Sequence, residues 1–338
     1  MGATGAVGSV MLQVLEERSF PATEVVPFAS ERSVGRKLPF AGGEIEVRGL
    51  SDESIKGFDI AIFSAGGSTS GEWAPRFAEA GAVVVDNSSR WRMEDDVPLV
   101  VSEVNPEDLD NHRGIIANPN CSTMQMVVAL KPIDVVAGIE RLVITTMQSV
   151  SGTGQKASQG LRAETEAALS EKAIPAPEVY PHQIAFNVIP QAGKFPDGSD
   201  YTDEELKLVN ETRKILGKPD IAVSATCTRV PVYTGHSESV NVQTREPLSA
   251  DDCRALLGRS PGITVLDDPA NALYPLAIDA AGRDDVLVGR IRQDPSHPRA
   301  LNLFVVSDNL RKGAATNAVQ LAELLVERGL VRARSAAA

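Results

Sequence analysis

The apolar positions of this chain repeat in two different ways, and the change between them divides it. Over the first 120 residues, short apolar runs of strand length alternate with stretches at helical spacing. Val10, Met11, Val14 and Leu15 recur at three- and four-residue intervals, which predicts an amphipathic helix. Residues 24–29 and 44–47 read as strands, and residues 60–64 as a short buried strand. A helix follows to residue 80, then strands at 83–85, 99–101 and 114–117. Strand alternating with helix predicts an α/β fold with a doubly wound parallel sheet over roughly residues 1–120.

Beyond a buried helix at 124–130 the pattern changes. Residues 141–150 form a long run, β-branched through its middle at Thr145 and Thr146. Residues 155–170 return to helical spacing. A helix over 201–216 carries Leu206, Val209 and Ile215 inward, and Thr202 with Glu205 fits a capping box. Residues 221–231, 239–244, 286–292 and 301–307 are further strands with few helices between them. This predicts an α+β domain with one largely antiparallel sheet. The apolar residues left over on that sheet call for a second copy, hence a homodimer. A last helix over 312–328 carries Val319, Leu321, Leu324 and Leu325, and residues 332–338 read as a frayed tail.

One segment carries the candidate chemistry: Ile115-Ile116-Ala117-Asn118-Pro119-Asn120-Cys121-Ser122-Thr123-Met124-Gln125-Met126. Pro119 ends the strand because it has no N–H to give the ladder. Asn118 and Asn120 favour the turn, and Asn120 can cap the helix that follows. Cys121 is thereby placed where unpaired N–H groups and the helix dipole favour a thiolate, the nucleophilic form. The competing reading is a small buried hydrophobe, as most free cysteines are. Of the four histidines, His112 and His297 read as surface residues and His182 as a packing residue. His236 follows Gly235 at the mouth of a strand and suits acid–base work beside a cysteine.

Glycines 2, 5 and 8 suit a turn that brings backbone to a pyrophosphate at a helix N-terminus, as in a Rossmann-like sheet. Such a fold has a buried strand just before that turn, and here only Met1 precedes it. Two explanations compete: the true start lies upstream, Met1 standing for an alternative initiation codon, or the protein lacks the strand; the first is the expectation, because losing a central strand would cost a parallel sheet much buried area.

Composition narrows the field. At 338 residues, two domains are expected. A net charge of −12 without a basic run excludes nucleic acid and anionic membrane as partners. Cys121, Cys227 and Cys253 are widely spaced, with neither a disulfide nor a metal pattern, which fits a reducing cytoplasm. No apolar run reaches transmembrane length.

Residues 118–123, together with Gly235-His236-Ser237-Glu238-Ser239-Val240, resemble the active-site segments of the aspartate-β-semialdehyde dehydrogenase family. The resemblance runs from Gly2 to the last helix and looks nearest to the Gram-positive and actinobacterial branch. It implies that NADP-linked enzymes of this kind reduce β-aspartyl phosphate to aspartate semialdehyde in amino-acid biosynthesis, through a thioester on Cys121. His236 takes the cysteine proton and later returns it. The substrate contacts implied are Gln148, Arg229 for the α-carboxylate, Glu211 for the ammonium, Arg92 and Lys214 for the phosphate, and Asn120. The cofactor contacts implied are Thr4, Gly5, Ala6 and Val7, Arg32 and Ser33 at the 2′-phosphate, and Ser151, Gly152 and Asn309. Glu31 is a complication, since a carboxylate pointing inward repels that phosphate. The domains implied are 1–120 with 309–338 for NADP, and 121–308 for catalysis and dimerisation; no metal is implied. The alternatives are a sibling such as N-acetyl-glutamyl-phosphate reductase or an acyl-CoA reductase, and a non-catalytic relative. Glu211 argues against the first, because an acetylated amine needs no carboxylate.

Overall fold

A computed structural model describes residues 1–331. The expected frayed tail at 332–338 lies outside the described residues. The chain divides into two compact units, Met1–Asn120 with the residues from Ala314 onward, and Cys121–Gly313. The chain thus returns to the first unit at Ala314, later than the expected 309.

In the first unit, α1 (Ala6–Glu17) is followed by a small antiparallel pair, β1 (Lys37–Phe40) and β2 (Gly43–Glu46). Then come β3 (Ile60–Phe63), α2 (Gly67–Glu79), β4 (Val83–Asp86) and β5 (Ile115–Ala117). Strands β3, β4 and β5 pair in parallel in that order. Both faces of the sheet are covered, as the unbroken Val83-Val84-Val85 run requires. Val83, Val85 and Ile116 pack with Met11, Val14 and Leu15 of α1 and with Val319, Leu321 and Leu325 near the chain end. Val84 and Phe63 face the other way, onto Ala74 and Phe77 of α2.

Two expected strands are not formed. Residues 24–29 contribute only a bridge from Phe28 to Arg48, and residues 99–101 only a bridge from Leu99 to Ala117. For the first the reason is local: Pro27 has no N–H, and only the Gly2 and Ala3 amides reach the Phe28 carbonyl, at 2.8 and 3.1 Å. Residues Met1–Ala3 lie between Phe28 and the end of β3. The Met1 ammonium donates to the Ile62 carbonyl at 2.6 Å, and Ser64 N–H donates to the Met1 carbonyl at 2.9 Å. Burial pushes the pKa of that ammonium down to about 5. Beside it, an apolar cavity of about 140 Å³ opens among Leu12, Leu15, Val25, Val26, Ile60 and Ile62.

The second unit begins with α3 (Cys121–Ala137), β6 (Ile139–Gln148), α4 (Gln155–Leu169) and α5 (Asp203–Leu216). It continues with β7 (Ala222–Arg229), β8 (His236–Thr244), α6 (Ala250–Leu257), β9 (Ile263–Val265), a short α7 (Ala277–Ala280), β10 (Val286–Gln293) and β11 (Ala300–Ser307). The six strands form one sheet in the order β7-β6-β8-β11-β10-β9. β6–β8, β8–β11 and β11–β10 pair antiparallel, but β6–β7 and β10–β9 are parallel. The sheet is therefore mixed. The parallel β6–β7 pair needs a long crossover, and residues 149–221 with α4 and α5 supply it.

The α5 capping box is present: Thr202 Oγ1 accepts from Glu205 N–H at 3.2 Å, and Glu205 Oε2 accepts from Thr202 N–H at 2.8 Å. Gly217 ends the helix in the left-handed region that a glycine adopts at little cost, φ 64°. The final helix differs from the expected 312–328: residues Arg311–Thr316 form π-helical turns, and α8 (Asn317–Glu327) follows them.

Candidate active site

One end of the mixed sheet gathers three of the candidate positions, and strand direction is the reason. β6 and β7 run parallel, so their last residues, Gln148 and Arg229, are paired. β8 runs against β6, so its first residue, His236, comes to the same edge, paired with Ser307 at the end of β11.

Cys121 is the first residue of α3 and is partly exposed. Gly313 lies against it: a Cβ built on Gly313 would sit 2.8 Å from the cysteine Cβ, so only glycine fits there. Cys227 and Cys253 are buried, and burial pushes both thiols up, Cys253 to about 12. Those two read as the inert kind of cysteine, whereas Cys121 is partly exposed at a helix start.

Gln148 is fully buried, and its amide nitrogen donates to Ser122 Oγ and, at 3.0 Å, to Glu204 Oε1. The other Glu204 oxygen accepts from Lys207 at 3.0 Å. The nitrogen is therefore spent on protein acceptors, and the amide oxygen has no hydrogen-bond partner. Sequence reasoning missed Glu204, whose link to Gln148 spans 56 residues.

Ser149 is the second residue the sequence hid. Its N–H donates to His236 Nδ1 at 3.1 Å, and its carbonyl accepts from Arg229 Nη1 at 2.7 Å. One residue thus ties the imidazole to the guanidinium. Arg229 is buried and its Nε makes no hydrogen bond, leaving a donor edge for a ligand carboxylate. His236 is fully buried with no partner on Nε2. Burial first, and the Arg229 charge second, push its pKa down to about 3.

Asn309 is placed in this second unit, not with the nucleotide domain as expected. The physical reason is its amide: Oδ1 accepts from Gly235 N–H and Ser149 Oγ, both at 2.9 Å, and Nδ2 donates to Ser151 Oγ at 2.9 Å. It locks the 149–151 loop to the start of β8. Gly152 faces the imidazole edge, since an added Cβ would lie 3.2 Å from both Cε1 and Nε2. Glu211 and Lys214 sit on α5 beyond Glu204; Glu211 is buried, two turns along the same face.

The first unit holds the remaining expected residues. Gly5 is the N-cap of α1, without a side-chain cap and with no acidic residue in the first turn, so Thr4, Gly5, Ala6 and Val7 frame an open helix N-terminus. Gly8 packs on the turn so closely that an added Cβ would meet the Gly2 carbonyl oxygen at 2.2 Å. This close packing and uncapped end fit a dinucleotide pyrophosphate. Arg32 is exposed and Ser33 half-buried in a single turn, Glu31–Ser33, and the Glu31 carboxylate leans toward Gly49. Arg92 is buried, with Nε donating to the Asn118 carbonyl at 3.0 Å and Nη2 to the Asn87 carbonyl at 2.8 Å. Arg90 instead pairs with Glu94 on the surface. Asn120 is buried immediately before Cys121, and Asn118 Nδ2 donates to Asn87 Oδ1 at 2.6 Å.

Glu238 follows His236 by two on β8 and so faces the same side, fully buried. Neither carboxylate oxygen has a hydrogen-bond partner. Burial pushes its pKa well above 4.5, against an opposing pull from the Gln125 amide. The folded protein keeps a proton that the unfolded chain releases above that value, so this group lowers stability as pH rises. Glu238→Gln should therefore raise Tm at about pH 8 by ~3 °C or more, and by much less near pH 4.5. Calorimetry across pH checks it, and an offset independent of pH would contradict the buried acid. A signal existed in the sequence, because Glu238 shares the parity of buried Val240 and Val242.

Among the described residues no group of His, Cys, Asp and Glu could hold a metal, and no helix is long and apolar enough to cross a membrane.

Residues 1–112 match the family model described as semialdehyde dehydrogenase, NAD binding domain, and residues 130–312 match semialdehyde dehydrogenase, dimerisation domain. The chain is 56% identical over 335 residues to an aspartate-semialdehyde dehydrogenase of Aquifex aeolicus, covering 98% of each chain. It is 49% identical over 339 residues to that of Bacillus subtilis, covering 98% of this chain and 97% of the other. Greater identity to the Aquifex protein than to a Gram-positive one gives no support to the expected branch. Coverage of 98% of the Aquifex protein likewise gives no support to an absent first strand. Among solved structures, aspartate semialdehyde dehydrogenase II of Vibrio cholerae complexed with ASA superposes with a TM-score of 0.92 at 50% identity, over 96% of each chain. The Candida albicans enzyme with NADP does so with a TM-score of 0.75 at 29% identity, over 98% of each chain.

Proposed function

The chain belongs to the aspartate-semialdehyde dehydrogenase family, and on that premise we propose that it reduces β-aspartyl phosphate to aspartate semialdehyde through a thioester on Cys121. The observation that supports the reading is the Ser149 bridge, which ties the Arg229 guanidinium to the His236 imidazole through hydrogen bonds of 2.7 and 3.1 Å.

Cys121 attacks the acyl carbon, the C–S bond forms, and the C–O bond to phosphate breaks. NADPH, when bound, supplies the hydride that reduces the thioester carbon. Collapse of the resulting tetrahedral adduct frees the aldehyde and the sulfur. Arg229 takes the α-carboxylate and the Gln148 oxygen orients the substrate amine side. Glu211 balances the ammonium, while Arg92 and Lys214 hold the phosphate, with Asn120 beside the nucleophile. Reading carboxylate, ammonium and phosphate in turn selects an amino-acid acyl phosphate.

For the cofactor, Thr4, Gly5, Ala6 and Val7 hold the pyrophosphate, and Arg32 with Ser33 favours NADP by taking the 2′-phosphate. The Glu31 carboxylate leaning toward Gly49 eases the conflict noted in the sequence. Ser151, Gly152 and Asn309 serve the nicotinamide end, with Asn309 acting through its hold on Ser151. The match to a dimerisation domain, and exposed Val135, Phe186 and Val188, support a homodimer. A lone subunit in light scattering at micromolar concentration would refute that assembly. Three free thiols and a biosynthetic reaction support the cytoplasm as the compartment.

A coupled assay tests the reading. With aspartate semialdehyde and phosphate, the protein should reduce NADP at least ~100-fold faster than NAD, a 2′-phosphate–arginine preference of about 2–3 kcal/mol. Absence of any phosphate-dependent reduction would sink the assignment. Offering N-acetyl-glutamate semialdehyde in its place separates the sibling activity.

A further inference from the structure

We propose that Tyr180 is a positioning residue for Arg229: its ring covers one face of the guanidinium and leaves the in-plane N–H groups for the substrate α-carboxylate. That role rests on the carboxylate contact given to Arg229 above, and it names the residue that holds the fork ready.

The donors of a guanidinium all lie in its plane, and its two faces carry none. In Arg229, Nη1 donates to the Ser149 carbonyl at 2.7 Å and Nε donates to no protein group. The side chain is buried, and a buried cation needs compensation for the water it has lost. A protein carboxylate would give that compensation by occupying N–H groups, and it would then compete with the substrate for them. An aromatic face gives it from outside the plane. The guanidinium carbon of Arg229 lies 5.8 Å from the centroid of the Tyr180 ring, within reach of the attraction between a cation and a π face. The charge is steadied and the donor edge stays open to a carboxylate.

Tyr180 lies between α4 and α5, where the chain forms no regular element, so tertiary contacts have to fix the ring. They do so at several points. Ile184 N–H and Ala185 N–H both donate to the buried Glu164 carboxylate of α4 at 2.8 Å. Ile189 N–H donates to the Arg229 carbonyl at 2.9 Å, and Arg229 N–H donates back to the Ile189 carbonyl at 2.8 Å. The half-buried Tyr180 packs against a core made of Val150, Leu161, Ile184 and Ile189. Its hydroxyl donates to Thr153 Oγ1 at 3.0 Å.

Thr153 closes the single turn Val150–Thr153, which follows Ser149 directly. The guanidinium and the ring are therefore tied to one stretch, the first through the Ser149 carbonyl and the second through Thr153. That stretch is itself fixed: Val150 N–H donates to the Val232 carbonyl at 2.8 Å, and Ser151 N–H to the Tyr233 carbonyl at 3.1 Å. Holding both partners on one anchored segment sets the fork against the ring before substrate arrives, which lowers the ordering cost of binding.

Kinetics of the full-length protein test this. Tyr180→Leu should raise KM for aspartate semialdehyde at least ~10-fold, with kcat and the KM values for phosphate and NADP within about threefold of the parent. Tyr180→Phe keeps the ring, loses only the bond to Thr153, and should stay within about threefold throughout. An aldehyde of the same length without the carboxylate, 3-aminopropanal, should be used equally well by parent and Tyr180→Leu. A parallel loss for both aldehydes would mean general damage and would overturn the role. A second series keeps the fold intact: phenylalanine carrying one, two and three ring fluorines at position 180 weakens the π face at nearly constant shape. KM for aspartate semialdehyde should climb step by step along it, and a flat series would overturn the cation–ring contact. Titration calorimetry with aspartate semialdehyde and no cofactor reads the same contact without turnover, so a failure here is distinct from a failure of the coupled assay. Affinity should drop at least ~10-fold in Tyr180→Leu, and unchanged affinity would overturn the inference.

Discussion

Cys121→Ser should fold as the parent does, bind the cofactor as the parent does, and turn over at least ~1,000-fold more slowly. The substitution is nearly isosteric at a partly exposed helix start, so stability should shift by less than about 1 kcal/mol. The loss belongs to the chemistry, because a hydroxyl stays protonated at neutral pH and makes a poor nucleophile toward an acyl phosphate. No other sulfur can take over: Cys227 and Cys253 are buried in β7 and α6, and burial raises both thiols. The same contrast makes labelling informative. An alkylating reagent should modify Cys121 quickly, leave the other two untouched in the folded state, and stop turnover in step with that single modification. Activity within tenfold of the parent in Cys121→Ser would remove the nucleophile assignment.

The second large effect is expected at Arg229. A buried guanidinium paired with a substrate carboxylate contributes about 2–5 kcal/mol when one partner is truncated, so Arg229→Ala should lower kcat/KM for aspartate semialdehyde by ~100- to 1,000-fold or more. NADP affinity should change by no more than about twofold, because the contacts proposed for the pyrophosphate and the 2′-phosphate lie on other elements. Part of the loss comes from the main chain, since Nη1 also holds the Ser149 carbonyl. The variant therefore carries a second signature. Arg229 is one of the two causes that lower the His236 pKa, and its removal should raise that pKa while burial still holds it below 6.5. Arg229→Lys restores the charge but not the planar fork, and should recover only part of the activity. Equal damage to cofactor and substrate binding would contradict the carboxylate role.

Much of the site was readable before any coordinates. Pro119 and the asparagines around it announced a strand ending in a helix, and α3 begins at Cys121 as that turn chemistry implies. The Thr202–Glu205 pair announced α5, and both halves of the box are formed. His236 was legible as the opening of a strand, and β8 opens on it. The failures have a common origin. Residues 24–29 have strand composition, but a strand also needs a neighbour that donates and accepts along its length, which composition does not report. The last helix read as regular because its apolar spacing is helical from Val319 on, whereas its first turns widen to π geometry between Arg311 and Thr316.

The local grammar of the chain determined which residues are candidates for the chemistry: a cysteine set on a helix start, a histidine at a strand mouth, an uncapped helix behind glycines. Those are properties of neighbours a few positions apart, and sequence holds them. Which protonation state each group adopts was decided only by the tertiary structure. His236 meets its Ser149 partner across 87 residues, Gln148 meets Glu204 across 56, and Glu238 is stripped of water by strands that pair on either side of it. Desolvation and hydrogen-bond direction depend on what surrounds an atom in space, and strand register, which no short stretch of sequence encodes, supplies those surroundings.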